Sequence, residues 1–259
     1  YRMSTSQGDG SCPPGSLGAP PKFDDEPLGS CINFGGDSPK VLCYYIEQTT
    51  GSTKAMILFP DVWGFQSRIV KIADWLSQQV SCHVLVCDFF RGETRDDHNE
   101  MKAWFESVPF EPNVARDVNA CVKYLQGTKG IVEFGAMGFC WGGWAIAKTC
   151  QAGLVPWQVI VCPHPSLKIE PWIFGGDDIA LMHSMTCPVL VMPAGNDPPY
   201  LKPTSSEFQA MPNKNHSKSI PFEDMSHGWT TRGDMIHNPT MKRDVEAALE
   251  ATREFVQLY

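Results

Sequence analysis

One short stretch constrains the fold of this chain more than any other: Gly138-Phe139-Cys140-Trp141-Gly142-Gly143. An apolar run, Ile131 to Met137, precedes it, and a helix-like run, Trp144 to Cys150, follows. The reading is strand, tight turn, helix, with a thiol at the apex. Glycines flank the thiol because a sharp turn strains the backbone and brings neighbouring chain close. A turn of this kind places Cys140 at the carboxyl edge of a sheet, exposed, and beside a helix N-terminus whose positive potential favours a thiolate.

The rest of the chain supplies such a sheet. Short apolar runs at 41–47, 55–59, 83–89, 131–137, 159–162 and 189–192 read as strands, with a weaker candidate at 217–222. Ile69, Ile72, Ala73 and Leu76 repeat at helical spacing, as do Val114, Val118, Cys121 and Leu125. Val245, Leu249 and Phe255 mark a last helix over 241–258. Alternation of this kind predicts an α/β protein with a mostly parallel central sheet covered by helices on both faces. Residues 1–40 are rich in Gly, Pro and Ser and read as an N-terminal arm, leaving 41–259 as a single domain.

Composition narrows the function classes. A net charge of -8 argues against nucleic acid or an anionic membrane as partner. No apolar run reaches the roughly 18 residues of a membrane-spanning helix. The first residues show no basic-then-apolar signal pattern, and the ten cysteines include no CxxC pair. A cytoplasmic location without structural disulfides is expected, and neither metal nor organic cofactor. Oligomeric state stays open between monomer and homodimer.

A nucleophile needs a base, and the base needs an orienting group. Where a nucleophile sits on a strand-to-helix elbow, the chain order is nucleophile, acid, histidine. Asp197 follows the strand 189–192, and His227 follows the candidate strand 217–222. Both fall on loops at the edge that carries Cys140. His164, directly after the strand 159–162, faces the same edge but lies before Asp197, the wrong order for the base. It reads as a pocket-lining residue.

Gly138 to Gly143, Asn196-Asp197 and His227-Gly228-Trp229 together resemble the dienelactone hydrolase family of α/β-hydrolases. The likeness runs from about residue 41 onward, and the 1–40 arm is similar to that of longer eukaryotic members. It implies an α/β-hydrolase fold and hydrolysis of a lactone or small carboxylic ester, with Cys140 as nucleophile, Asp197 as acid and His227 as base. Asp61, in Pro60-Asp61-Val62-Trp63-Gly64, matches the family's acidic position that accepts the thiol proton, one methylene shorter than the usual glutamate. Backbone amides of Val62 and Trp141 are the implied oxyanion hole. Arg91 and Arg232 are the implied contacts for an anionic substrate. Trp63, Phe89, Trp141 and Trp229 are the expected pocket walls. A cysteine-dependent thioesterase or acyltransferase fits the same residues. So does a non-catalytic ligand-binding relative. A redox-sensing thiol protein would need a resolving cysteine near Cys140. Cys150 is the nearest in sequence but lies ten residues along a helix.

Overall fold

The computed structural model describes residues 12–14, 16–17, 26–34, 40–49 and 51–259. Among the described residues eight strands form one sheet: β1 Ser30–Phe34, β2 Val41–Ile46, β3 Lys54–Phe59, β4 His83–Cys87, β5 Glu133–Gly138, β6 Trp157–Pro163, β7 Val189–Met192 and β8 Lys218–Ser219. Their spatial order is β1-β2-β4-β3-β5-β6-β7-β8. Strand β2 runs antiparallel to both of its neighbours, β1 and β4. From β4 to β8 every pairing is parallel. This is the mostly parallel α/β sheet that the sequence pattern predicts, in the α/β-hydrolase architecture that the resemblance implies.

Parallel pairing explains the strand composition. All five residues of β4 are buried, as are the last five of β3. A strand covered on both faces reads as a continuous apolar run rather than an alternation. Its residues nonetheless divide between two cores. Ile57 and Phe59 point to one, Met56 and Leu58 to the other.

Helices α1, Ser67–Val80, and α7, Pro239–Val256, close the second core with Ile69, Ile72, Leu76, Val245 and Phe255. Each such side chain contributes roughly 1.5–3 kcal/mol of burial. The N-terminus of α1 is capped by the Gln66 side chain, which accepts from Arg68 N. Its C-terminus stops at Ser81, which turns left-handed (φ 53°). On the other face lie α2 Met101–Ser107, α3 Ala115–Lys129, α4 Trp141–Gln151, α5 Asp178–His183 and the single turn α6 Ser206–Gln209.

Two elements depart from expectation. The sequence predicts no strand before Val41, yet β1 pairs with β2 as an edge strand. An edge strand with an exposed Cys31 carries no buried apolar run to announce it. The candidate strand 217–222 shrinks to Lys218–Ser219. Beyond it Ile220 and Phe222 still donate to Val191 O and Pro193 O, so the chain stays beside β7 up to the following loop.

Candidate active site

Every implicated loop leaves the carboxyl end of a parallel strand. Cys140 follows β5 and caps α4, with φ 53° and ψ -113°. A non-glycine residue in that conformation stores of order 1–3 kcal/mol of strain, held in place by its surroundings. Gly142 N–H donates to Phe139 O at 2.8 Å and Gly143 N–H to Cys140 O at 3.0 Å. A Cβ on Gly142 would lie 2.1 Å from Phe59 O, so only glycine lets α4 meet β3 here.

After β7 the chain turns at Ala194 to Asp197. The Asp197 Oδ2 accepts from Ala194 N at 2.7 Å, which fixes the carboxylate. Its Oδ1 lies 2.6 Å from His227 Nδ1. Asn196, next door, accepts from His227 N at 2.7 Å. Acid and histidine are thus locked together by two adjacent residues of one loop. Gly228 then adopts φ 92°, and the Arg232 guanidinium occupies the space where a Cβ would be.

Two residues that the sequence did not single out join Cys140 and His227. Ser166 N–H donates to Cys140 O at 2.9 Å. Its Oγ stands 3.3 Å from Cys140 Sγ and 3.4 Å from His227 Nε2. The other is Cys12, whose Sγ lies 3.5 Å from Cys140 Sγ. The ligand atoms of Cys12, Cys140 and His227 all fall within 4.8 Å of one another. Ser166 left a faint signal, since it shares the loop after β6 with His164. Cys12 left none, because no local pattern ties residue 12 to residue 140.

Cys12 overturns one expectation outright. Cys140 sits at the carboxyl edge but is wholly buried, not exposed. Burial, and then the adjoining Cys12, push its thiol well above the ordinary range, against the pull of the helix N-terminus. Contact with Cys140 holds the Cys12 thiol well below it, with His227 and Arg232 adding to the effect. Burial works against charge on His227, but Asp197 and Cys12 outweigh it and raise the imidazole to about 9. Between the two sulfurs these shifts favour charge on Cys12 over Cys140.

The remaining candidates separate. His164 is buried, left-handed (φ 37°), and packs edge-on to His227 with ring centroids 4.9 Å apart. Its Nε2 is 2.5 Å from Thr230 Oγ1. Burial, with His227 and Arg232 close by, holds it well below the usual imidazole range, so it is neutral.

Both Asp61 oxygens accept hydrogen bonds from residues other than Cys140. Its Oδ1 accepts from Trp63 N at 2.9 Å, and its Oδ2 from Thr231 Oγ1 at 2.7 Å. Arg232 Nε lies 3.2 Å from the same Oδ2, an ion pair not aligned as a hydrogen bond. Arg232 is itself buried and donates to Leu17 O at 2.6 Å. Asp61 and Arg232 are therefore a buried pair beneath the site.

Arg91 also departs from expectation. Its fork holds Asp117 at 2.7 and 2.9 Å and Asp88 O at 2.9 Å, so it is engaged inside the fold rather than directed at a ligand. Trp229 and Phe89 are core: Trp229 packs on Phe222 in the α1–α7 layer, and Phe89 stacks on Phe59. Trp141 is buried against Phe89 and Phe90, and Trp63 is half-buried at the border of the same cluster. The Trp141 N–H opens α4, where an amide has no acceptor inside its own helix. Val62 lies in the turn that Gly64 N closes on Asp61 O at 2.9 Å.

Among the described residues, two groups of three donors stand close enough to share an ion: Cys12, Cys140, His227 and Cys43, Cys87, Cys121. Each is one ligand short of the four that structural zinc takes.

The profile of the dienelactone hydrolase family matches residues 42–259. The chain belongs to the dienelactone hydrolase family. Among its relatives is an uncharacterised AIM2 family protein of Schizosaccharomyces pombe, 27% identical over 87% of this chain and 88% of that one. A carboxymethylenebutenolidase homologue of Xenopus tropicalis is 24% identical over 90% and 95%. Among solved structures, a dienelactone hydrolase-like promiscuous phosphotriesterase from metagenomic libraries superposes with a TM-score of 0.65 at 16% identity, covering 89% of this chain and 98% of that one. The Pyrococcus furiosus esterase Pf2001 gives 0.62 at 13%, covering 93% and 98%. Family membership makes the chain a hydrolase of the ester or lactone type. No helix among the described residues is long and apolar enough to cross a membrane.

Proposed function

We propose that the chain hydrolyses a small carboxylic ester or lactone with Cys140 as nucleophile, His227 as base and Asp197 as the group that orients it. The observation that carries this reading is the His227 ring, pinned at Nδ1 by Asp197 with its Nε2 turned to Ser166 and the thiol pair. The carboxylate fixes the tautomer and stabilises the imidazolium.

The substrate carbonyl enters where Cys12 now rests, so the segment carrying Cys12 withdraws first. The Cys140 sulfur attacks the carbonyl carbon. The amides of Val62 and Trp141 hold the oxyanion, being fixed before the charge develops. His227 gives its proton to the leaving oxygen, and a thioester to Cys140 remains. Water, losing a proton to His227, attacks that thioester and releases the acid and the thiol. Ser166, in contact with both sulfur and imidazole, bridges the proton path. Arg232 lies beneath the site with its charge paired to Asp61.

The test is hydrolysis of an activated aryl ester and an aromatic lactone by wild type, Cys140→Ala and His227→Ala. Each variant is expected to lose on the order of 10³-fold or more in kcat. Equal rates in all three would end the proposal.

A further inference from the structure

We propose that Cys12 and Cys140 form a reversible disulfide that removes the nucleophile and ties the N-terminal segment across the site. The two sulfurs are already 3.5 Å apart. A disulfide needs about 2.05 Å, so the two sulfurs have roughly 1.5 Å left to close. Cys150, by contrast, lies in the last turn of α4, on the order of 15 Å along the helix from Cys140.

Cys12 is held in place by residues of the site itself. Leu17 N–H donates to His227 O at 3.0 Å, and Arg232 Nη1 to Leu17 O at 2.6 Å. Asn196 Nδ2 donates to Pro14 O at 3.0 Å. Asn196, His227 and Arg232 thus each grip the segment. Both sulfurs are buried and lie beside His227, which supplies the base for thiol chemistry.

The oxidant is a small hydroperoxide. One thiolate attacks the outer peroxide oxygen, the O–O bond breaks, and the alcohol or water leaves. The resulting sulfenic acid is attacked by the second sulfur. An S–S bond forms, the S–O bond breaks, and hydroxide departs as water with the second thiol's proton. Two thiols and one hydroperoxide become one disulfide, one alcohol (or water) and one further water. The same step spares Cys140 from further oxidation to the irreversible sulfinic acid. The disulfide stands on the sulfur geometry alone; its effect on turnover rests on Cys140 being the nucleophile.

The experiment treats the full chain with hydrogen peroxide, blocks remaining thiols with N-ethylmaleimide, and maps peptides by mass spectrometry without reductant. Ester hydrolysis is followed in parallel. The expected result is a linked Cys12–Cys140 peptide that disappears with dithiothreitol, with activity lost and regained in step. In Cys12→Ser the linked peptide is absent, Cys140 gains two oxygens, and dithiothreitol restores no activity. Wild type showing sulfinic acid at Cys140 with Cys12 unmodified would overturn the proposal. So would a disulfide confined to Cys87 and Cys121, whose sulfurs are 3.1 Å apart. A chain that hydrolyses no ester tried, yet yields the Cys12–Cys140 peptide, would remove the hydrolase reading and leave the disulfide standing.

Discussion

Replacing Asp61 by Asn separates two roles that a carboxylate beside a thiol could have. Asp61 and Arg232 are both buried, with Nε and Oδ2 3.2 Å apart. At that distance the attraction is roughly 5 kcal/mol with an effective dielectric constant of about 20. Desolvation offsets much of this when both charges are present. Asp61→Asn removes one charge and leaves the other buried, which costs about 3–5 kcal/mol. For a chain of this size that corresponds to a fall in Tm of roughly 6–20 °C. Differential scanning calorimetry reads it directly. The double variant Asp61→Asn, Arg232→Met removes both charges and should recover most of the loss. The thiol gives a second readout of opposite sign for the two roles. The Asp61 charge is among the groups that push the Cys140 thiol up, so its removal should speed alkylation of Cys140 at neutral pH. A carboxylate that primed the thiol as a base would, when removed, slow it. A Tm shift under about 2 °C, or a double variant no better than the single, would refute the buried pair as a structural support.

Two further outcomes follow from the packing and the charge states. Gly142→Ala sets a Cβ 2.1 Å from Phe59 O and 2.7 Å from Phe59 C, both backbone atoms, so strand and helix must part. A loss of about 3 kcal/mol, the upper end for overpacking, should lower the denaturant midpoint, and an unchanged midpoint would contradict the clash. His164 is held neutral in the fold, below its unfolded value near 6.5. The unfolded chain therefore binds one more proton as pH falls below about 6.5, and stability drops by about 1.4 kcal/mol per pH unit from this residue. His164→Asn, which tolerates the left-handed backbone, should flatten the acid limb by that slope in urea titrations at successive pH values. Parallel limbs for the two proteins would mean His164 is charged in the fold.

The sheet was legible because each parallel strand is a buried apolar run and each helix keeps its own periodicity. Cys140, Asp197 and His227 were legible for the same reason: each lies on the loop after a parallel strand, so topology brings them to one edge. Arg91 follows a strand too, but Asp117 takes its fork. The warning lay in Asp117 itself, a charge between Val114, Val118 and Cys121 on the apolar stripe of α3, which needs a partner when buried. Trp229 shows the converse, since an aromatic residue two positions after His227 reads as a pocket wall but turns into the opposite layer. Ser166 and Thr231 are short hydroxyl residues in loops, where such residues are common, and only three-dimensional contact distinguishes them.

Cys12 belongs to a different class of omission, and it changes how the site works. An elbow thiol at a helix N-terminus should ionise easily, and from the sequence that was the whole of the electrostatic argument. In the fold, desolvation dominates instead, because the segment carrying Cys12 excludes water and places a second sulfur against the first. The causes that suppress the Cys140 thiolate are therefore the ones that departure of that segment relieves. Withdrawal admits solvent or substrate, removes the competing sulfur, and leaves His227 and Arg232 facing Cys140 alone. In the proposed mechanism, access to Cys140 and its ionisation are then one event, controlled from residue 12 rather than from the turn at residue 140.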